Sequence, residues 1–165
     1  MGERRKVVVV LLVGNEANVL TRVVSLFGRR SFNIDSLTVS ATNDPKISRI
    51  TIVSSEEYQN LSQVITQTEK LPVVKRIFTL EKEESLYREL LLIKIKADKT
   101  NRTAIKEVAD IYRAKIIDLS KESMIIEITG APEKLDGFLD MLSCYDIVEV
   151  CRTGITAMGR GLQNK

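Results

Sequence analysis

The chain has 165 residues, 44% of them hydrophobic, which suffices for one ordinary domain or two small ones with buried cores. Lysine and arginine number 25 against 22 acidic residues and are spread along the chain rather than gathered in a tail, which argues against a nucleic-acid-binding surface. The solid apolar run Val7–Val13 is a strand's length, well short of the roughly 18–20 residues of a membrane span, and no signal-peptide pattern precedes it, so a cytoplasmic protein with no membrane partner is expected.

Lys6–Val13 is rich in β-branched residues and predicts a strand. Gly14-Asn-Glu-Ala-Asn18 breaks it, and Asn18–Arg30 then places Val19, Leu20, Val23, Val24 and Phe27 on one helical face as core. Phe32–Ala41 and Ile47–Ser54 alternate and are joined by Asn43-Asp44-Pro45, so they predict a β-hairpin with a longish loop. Glu57–Lys70 has helical spacing through Leu61, Val64, Ile65 and Thr68. Pro72 ends it, and Val73–Leu80 is a short strand.

The charged stretch Glu81–Glu84 predicts a linker, after which the order starts again. Tyr87–Ala97 is a strand with Leu91, Ile93 and Ile95 opposite Lys94 and Lys96. Thr100–Arg113 is a helix, Lys115–Leu119 and Ser123–Ile128 form a hairpin, Ala131–Ser143 is a helix with Pro132 in its first turn, and Ile147–Arg152 is a strand. The pattern βαββαβ thus occurs twice, which predicts an α+β protein of two ferredoxin-like domains, residues 1–80 and 85–165 around a linker at 81–84. Each half is marginal alone at about this size, and Val7–Val13 is apolar on both strand faces. Something should cover the second face or the edge, which points to a homodimer.

Chemistry-bearing residues are sparse. There is no histidine, so Cys144 and Cys151 lack the partners for a zinc site or a Cys-His nucleophile, and both thiols are expected to be buried or half-buried. No P-loop, nucleophile elbow or spaced carboxylate pair marks an enzyme. RNA-recognition modules share the βαββαβ order but stack bases on aromatic residues of two central strands, and Lys6–Val13 and Ile47–Ser54 contain none. The Arg152–Gly161 stretch, glycine-bearing and basic, reads either as a flexible tail or as a docking segment.

The runs NEANVLTRVVSLFGRRSFNIDSLTV and DPKISRITIV, then RELLLIKIKA, KIIDLS, TGAPEKLDGFL and EVCRTGITAMGRG, resemble the small, regulatory subunit family of acetolactate synthase (acetohydroxyacid synthase) from about Lys6 to Gly161. The resemblance implies that the first half is an ACT domain, a βαββαβ module that binds amino acids. It also implies a subunit with no active site of its own, which binds and activates the catalytic large subunit of branched-chain amino-acid biosynthesis and confers inhibition by valine. Thiamine diphosphate, magnesium and FAD would belong to that partner. In the family the effector lies between two ACT domains, which implies a homodimer through them, with Asn15, Asn18, Val19 and Leu20 on one chain and Asn33 and Ile34 on the other. This sequence departs from the family at Asn18, usually glycine, and at Arg30-Ser31, usually Arg-Gly. Asn18 could fill part of the pocket, reach the ligand or cap the helix. Asn43, Asp44 and Arg49 are candidate contacts for the catalytic subunit.

Overall fold

The computed structural model describes residues 6–29, 32–55 and 58–162, so the expectations placed on Arg30, Ser31 and Glu57 lie outside the described residues. The first module runs β1 (Val7–Gly14), α1 (Val19–Gly28), β2 (Ser36–Ala41), β3 (Ile47–Ser54), α2 (Tyr58–Glu69) and β4 (Val74–Leu80). A turn of 3-10 helix, Lys82–Glu84, follows. The second module runs β5 (Ser85–Lys96), α3 (Arg102–Tyr112), β6 (Lys115–Leu119), β7 (Ser123–Gly130), α4 (Pro132–Leu142) and β8 (Ile147–Arg152), and a short β9 (Thr156–Gly159) ends the described chain.

The first sheet has the order β2-β3-β1-β4 and the second β6-β7-β5-β8, so each module places its first and third strands at the centre. All of these pairings are antiparallel. This is the ferredoxin-like arrangement in both modules. Even the irregularity repeats: the register shifts between Leu12 and Val13 where β1 meets β4, and between Lys94 and Ile95 where β5 meets β8.

Alternation sorts the side chains. In the first module Val9, Leu11, Val13, Ile50 and Ile52 pack under Val19, Val23 and Phe27 of α1 and Leu61 and Val64 of α2. In the second, Leu91, Ile93, Ile95, Met124 and Ile126 pack under Ile105 and Ala109 of α3 and Leu135, Phe138 and Leu142 of α4. Full burial of each such side chain contributes about 1.5–3 kcal/mol, which lets these two clusters carry their modules. The hairpin's first strand is shorter than its apolar pattern. Phe32 donates its N–H back to the Phe27 carbonyl, and backbone bonding to β3 begins only at Asp35, whose N–H donates to the Val53 carbonyl at 2.8 Å.

Two expectations are corrected here. By packing, the chain divides into the residues up to Leu86 together with those from Ile155 on, and a second unit, Tyr87–Gly154. The C-terminal segment thus groups by packing with the first module, whereas the sequence had grouped it with the second; its strand β9 pairs with β5. Its partners explain why. The Ile155 N–H donates to Ser36 Oγ at 3.4 Å, Arg49 Nη2 donates to the Ala157 carbonyl at 2.6 Å, and the Arg160 N–H donates to the Glu84 carbonyl at 2.8 Å. Ser36 and Arg49 both face away from the helices, so Ile155 and Ala157, each buried, lie on the face of the first sheet that the helices leave open. Val8 and Val10 point to that face and are fully buried in the single chain. The two-sided apolar character of β1 is thus satisfied without a second copy, and it no longer argues for a dimer.

Candidate effector site at the start of the first helix

The segment between β1 and α1 is held from below. Asn15 donates its backbone N–H to the Lys46 carbonyl at 2.8 Å and its Nδ2 to the Pro45 carbonyl at 3.0 Å, which ties the loop to the β2–β3 hairpin. Asn18 then turns the chain into the helix with φ 64° and ψ 6°, a left-handed conformation that asparagine tolerates better than other side-chain-bearing residues. Glycine, which the resemblance leads one to expect at this position, adopts that angle without strain. The Asn18 side chain makes no capping bond, so the role of cap is not taken. The first helical bond is from the Arg22 N–H to the Asn18 carbonyl, and the N–H groups of Val19, Leu20 and Thr21 have no acceptor among the described residues. These donors sit at the positive end of the helix dipole, the arrangement that binds a carboxylate.

The predicted residues divide by role. Asn15 and Asn18 are exposed, and Leu20 is 40% exposed, contrary to its expected place in the core, because the helix turns it away from the sheet. The Val19 side chain is buried in the core, so it can offer a ligand only its backbone N–H. Ile34 is half-buried against the same core. Asn33 is exposed; its Nδ2 donates to Asp35 Oδ1 at 2.9 Å and its carbonyl accepts from Ser54 Oγ at 2.8 Å. No hydrogen bond among the described residues joins Asn33 or Ile34 to the 15–20 segment within one chain.

The other candidates separate as well. Asp44 fixes its own turn, accepting from the Lys46 N–H at 2.9 Å while its N–H donates to Thr42 Oγ1 at 3.1 Å. Asn43 is exposed beside it. Arg49 is half-buried on the open sheet face, where burial lowers its pKa from the ordinary arginine value. Arg152 ends β8 rather than lying in a tail. It donates to Glu89, which is only 7% exposed, and to Asp136 Oδ1 at 2.5 Å, a network within the second unit. Burial opposes its charge, but the hydrogen bonds and charges of these two carboxylates hold its pKa above the ordinary value. Cys144 and Cys151 are both free and exposed rather than buried, since Cys151 lies on β8, an edge strand all of whose residues are exposed. Sequence reasoning missed β9 and its anchor on Ser36, which leave no local apolar period to find.

A tandem of ferredoxin-like modules, the first presenting an open helix start beside a clamped loop, places the chain in the class of proteins built on ACT-type modules. Comparison with known proteins is specific within that class. Residues 9–76 match the profile described as the AHAS small subunit-like ACT domain, and residues 88–161 match that of the small subunit of acetolactate synthase. The chain belongs to the acetolactate synthase small-subunit family. It is 46% identical over 151 residues to the acetolactate synthase small subunit of Mycolicibacterium smegmatis, covering 92% of this chain and 89% of that one. To the small subunit of Haemophilus influenzae it is 39% identical over 155 residues, covering 93% and 95%. The crystal structure of the acetolactate synthase small subunit from Thermotoga maritima superposes with a TM-score of 0.87 at 38% identity, covering 95% of this chain and 98% of that chain. No helix among the described residues is long and apolar enough to cross a membrane.

Proposed function

We propose that this chain is the non-catalytic regulatory subunit of an acetolactate synthase: it binds the catalytic large subunit, raises its activity, and senses a branched-chain amino acid, valine first, at the start of α1. Thiamine diphosphate, magnesium and FAD belong to the catalytic chain, and the assembly works in the cytoplasm. The observation that supports the sensor is the helix start itself, with Asn18 left-handed, no side-chain cap, and the donors of Val19, Leu20 and Thr21 free of acceptors among the described residues.

The physics sets the affinity. The effector's carboxylate takes the first-turn N–H groups, each charge-assisted bond contributing about 1.5–3 kcal/mol, with about 0.3–1 kcal/mol more from the dipole. Leu20 offers apolar surface to the isopropyl group. Asn33 and Ile34 come from a second copy of the chain, paired through the first modules. The Asn33 amide already donates one hydrogen to Asp35, which leaves a second N–H for the carboxylate and the Oδ1 for the ammonium. Two or three such contacts give a dissociation constant in the micromolar to millimolar range, on the order of −4 to −8 kcal/mol, suited to a metabolite sensor.

Regulation follows by linkage. An effector shared by two chains stabilises one arrangement of them, and it changes the catalytic partner only as far as that partner prefers another. The experiment is reconstitution: adding the purified chain to its catalytic subunit raises turnover, valine lowers it again, and Asn33→Ala removes the valine response but keeps the activation. Equal turnover with and without the chain contradicts this function.

A further inference from the structure

The open face of the first sheet reads as transverse rows. Near the C-terminal strap, Ser36, Val53, Val8 and Leu80 lie side by side; next come Thr38, Thr51, Val10 and Phe78; and the last row is Ser40, Arg49, Leu12 and Arg76. The face therefore grades from apolar to cationic. In the last row the half-buried Leu12 of β1 has an arginine on either side, one on β3 and one on β4. Arg76 lies over the Phe78 ring, 5.2 Å from its centroid, and Arg49 reaches the Ala157 carbonyl. Both arginines are half-buried, and no carboxylate among the described residues pairs with either. Elsewhere in the same chain another arginine, Arg152, whose side chain is 29% exposed, is given two carboxylates. A partly desolvated cation without one is costly to keep unless a partner supplies the anion.

We infer that the Ser40–Arg49–Leu12–Arg76 row is the surface on which the catalytic subunit docks, through a segment that presents carboxylates on either side of an apolar side chain. The inference rests on the function proposed above and adds its contact surface. Arginine, aromatic and methionine side chains are the types enriched at interface centres. Here Arg49, Arg76 and Phe78 form the row and its flank, and the strongly exposed Met158 rides on the adjoining segment. A second copy of the chain meeting this face about a two-fold axis brings arginines against arginines, which charge repulsion opposes. A small free anion leaves Leu12 facing water. An acidic segment with an apolar residue satisfies both. The row also lies at the end of the sheet that bears Gly14 and the β2–β3 hairpin, two residues along β1 from the effector loop.

The test is binding of the full-length chain to its catalytic subunit by titration at two ionic strengths, comparing the wild type with Arg76→Gln, Ser40→Glu and the double variant Arg49→Gln/Arg76→Gln. Arg76→Gln leaves the Arg49–Ala157 bond intact. Ser40→Glu acts at an exposed position and offers Arg49 an internal carboxylate, so at least one variant keeps its fold. Each single change weakens association about tenfold, the double variant weakens it further, and the salt dependence becomes shallower. Wild-type affinity in all folded variants overturns the inference and leaves the function standing. A changed self-association of the chain with unchanged partner affinity assigns the row to a second copy and also overturns it. If the wild type itself does not bind, the proposed function falls and this surface with it.

Discussion

The two modules repeat one topology, yet they treat the start of their first helix differently. In the second, Asp98 sits four residues before α3 and fills the site from within: its Oδ1 accepts from the Thr100 N–H at 2.7 Å, Thr100 Oγ1 at 2.5 Å and the Asn101 N–H at 3.3 Å. Those bonds, the Thr100 hydroxyl first, hold its carboxyl below the usual aspartate range. In the first module the same position is Asn15, whose amide is turned to Pro45, and the donors ahead are left to whatever arrives. A helix start that carries its own carboxylate has no need of a ligand's. The lesson is that within one chain the same fold has one helix start closed by its own carboxylate and another left open, according to one side chain and one backbone angle.

The contrast can be broken from either side. The largest effect is expected at Arg152, the cation that is compensated: Arg152→Ala strands the buried Glu89 and destabilises the second unit by about 3 kcal/mol or more in urea unfolding, whereas Arg49→Gln, removing a cation with no carboxylate, costs about 1 kcal/mol. Equal losses contradict the assignment of Arg49 as the uncompensated one. Next is the left-handed turn. Asn18→Ala costs about 1 kcal/mol because alanine pays more than asparagine for φ 64°, while Asn18→Gly is neutral or stabilising, both measured by thermal unfolding. Asn15→Asp installs in the first module the carboxylate that the second already has. It is expected to fold normally and to abolish effector binding, since the loop then neutralises its own donors; a variant that still binds breaks the comparison.

The smallest effect is in acid. Asp98 has a depressed folded pKa, so its contribution to α3 is present above the ordinary aspartate value of about 3.9 and is lost as pH falls through its lower folded value. Amide exchange at Thr100 and Asn101 should accelerate in that window. The N–H groups of Val19 and Leu20 should show no such step without ligand, because no carboxylate faces them among the described residues.

Most of this architecture was legible because the apolar periods are strong. Ile47–Ser54, Lys115–Leu119 and Ile147–Arg152 have the bounds that alternation and turn residues gave. The site was legible in outline, since a strand that stops at Gly14 and a helix that starts after Asn18 bring that loop to the sheet's end. What stayed hidden depends on partners distant in sequence. The strap from Ile155 owes its place to Ser36, Arg49 and Glu84, and the burial of Val8 and Val10, read as a sign of a second copy, is completed in one chain. Cys151 misled for a related reason: a strand-like apolar stretch says nothing about whether the strand is central or, as here, an edge. The role of Leu20 turned on which arc of α1 faces the sheet, which spacing alone does not fix.

The central claim is that the first helix start is an open amino-acid site shared between two copies. Isothermal titration of valine, leucine and isoleucine into the purified chain, repeated with Asn33→Ala, tests it most directly. The account predicts binding of valine in the micromolar to millimolar range at one site per chain or per pair of chains, lost in Asn33→Ala. No heat and no thermal shift with any of the three, or binding that survives Asn33→Ala unchanged, would contradict it.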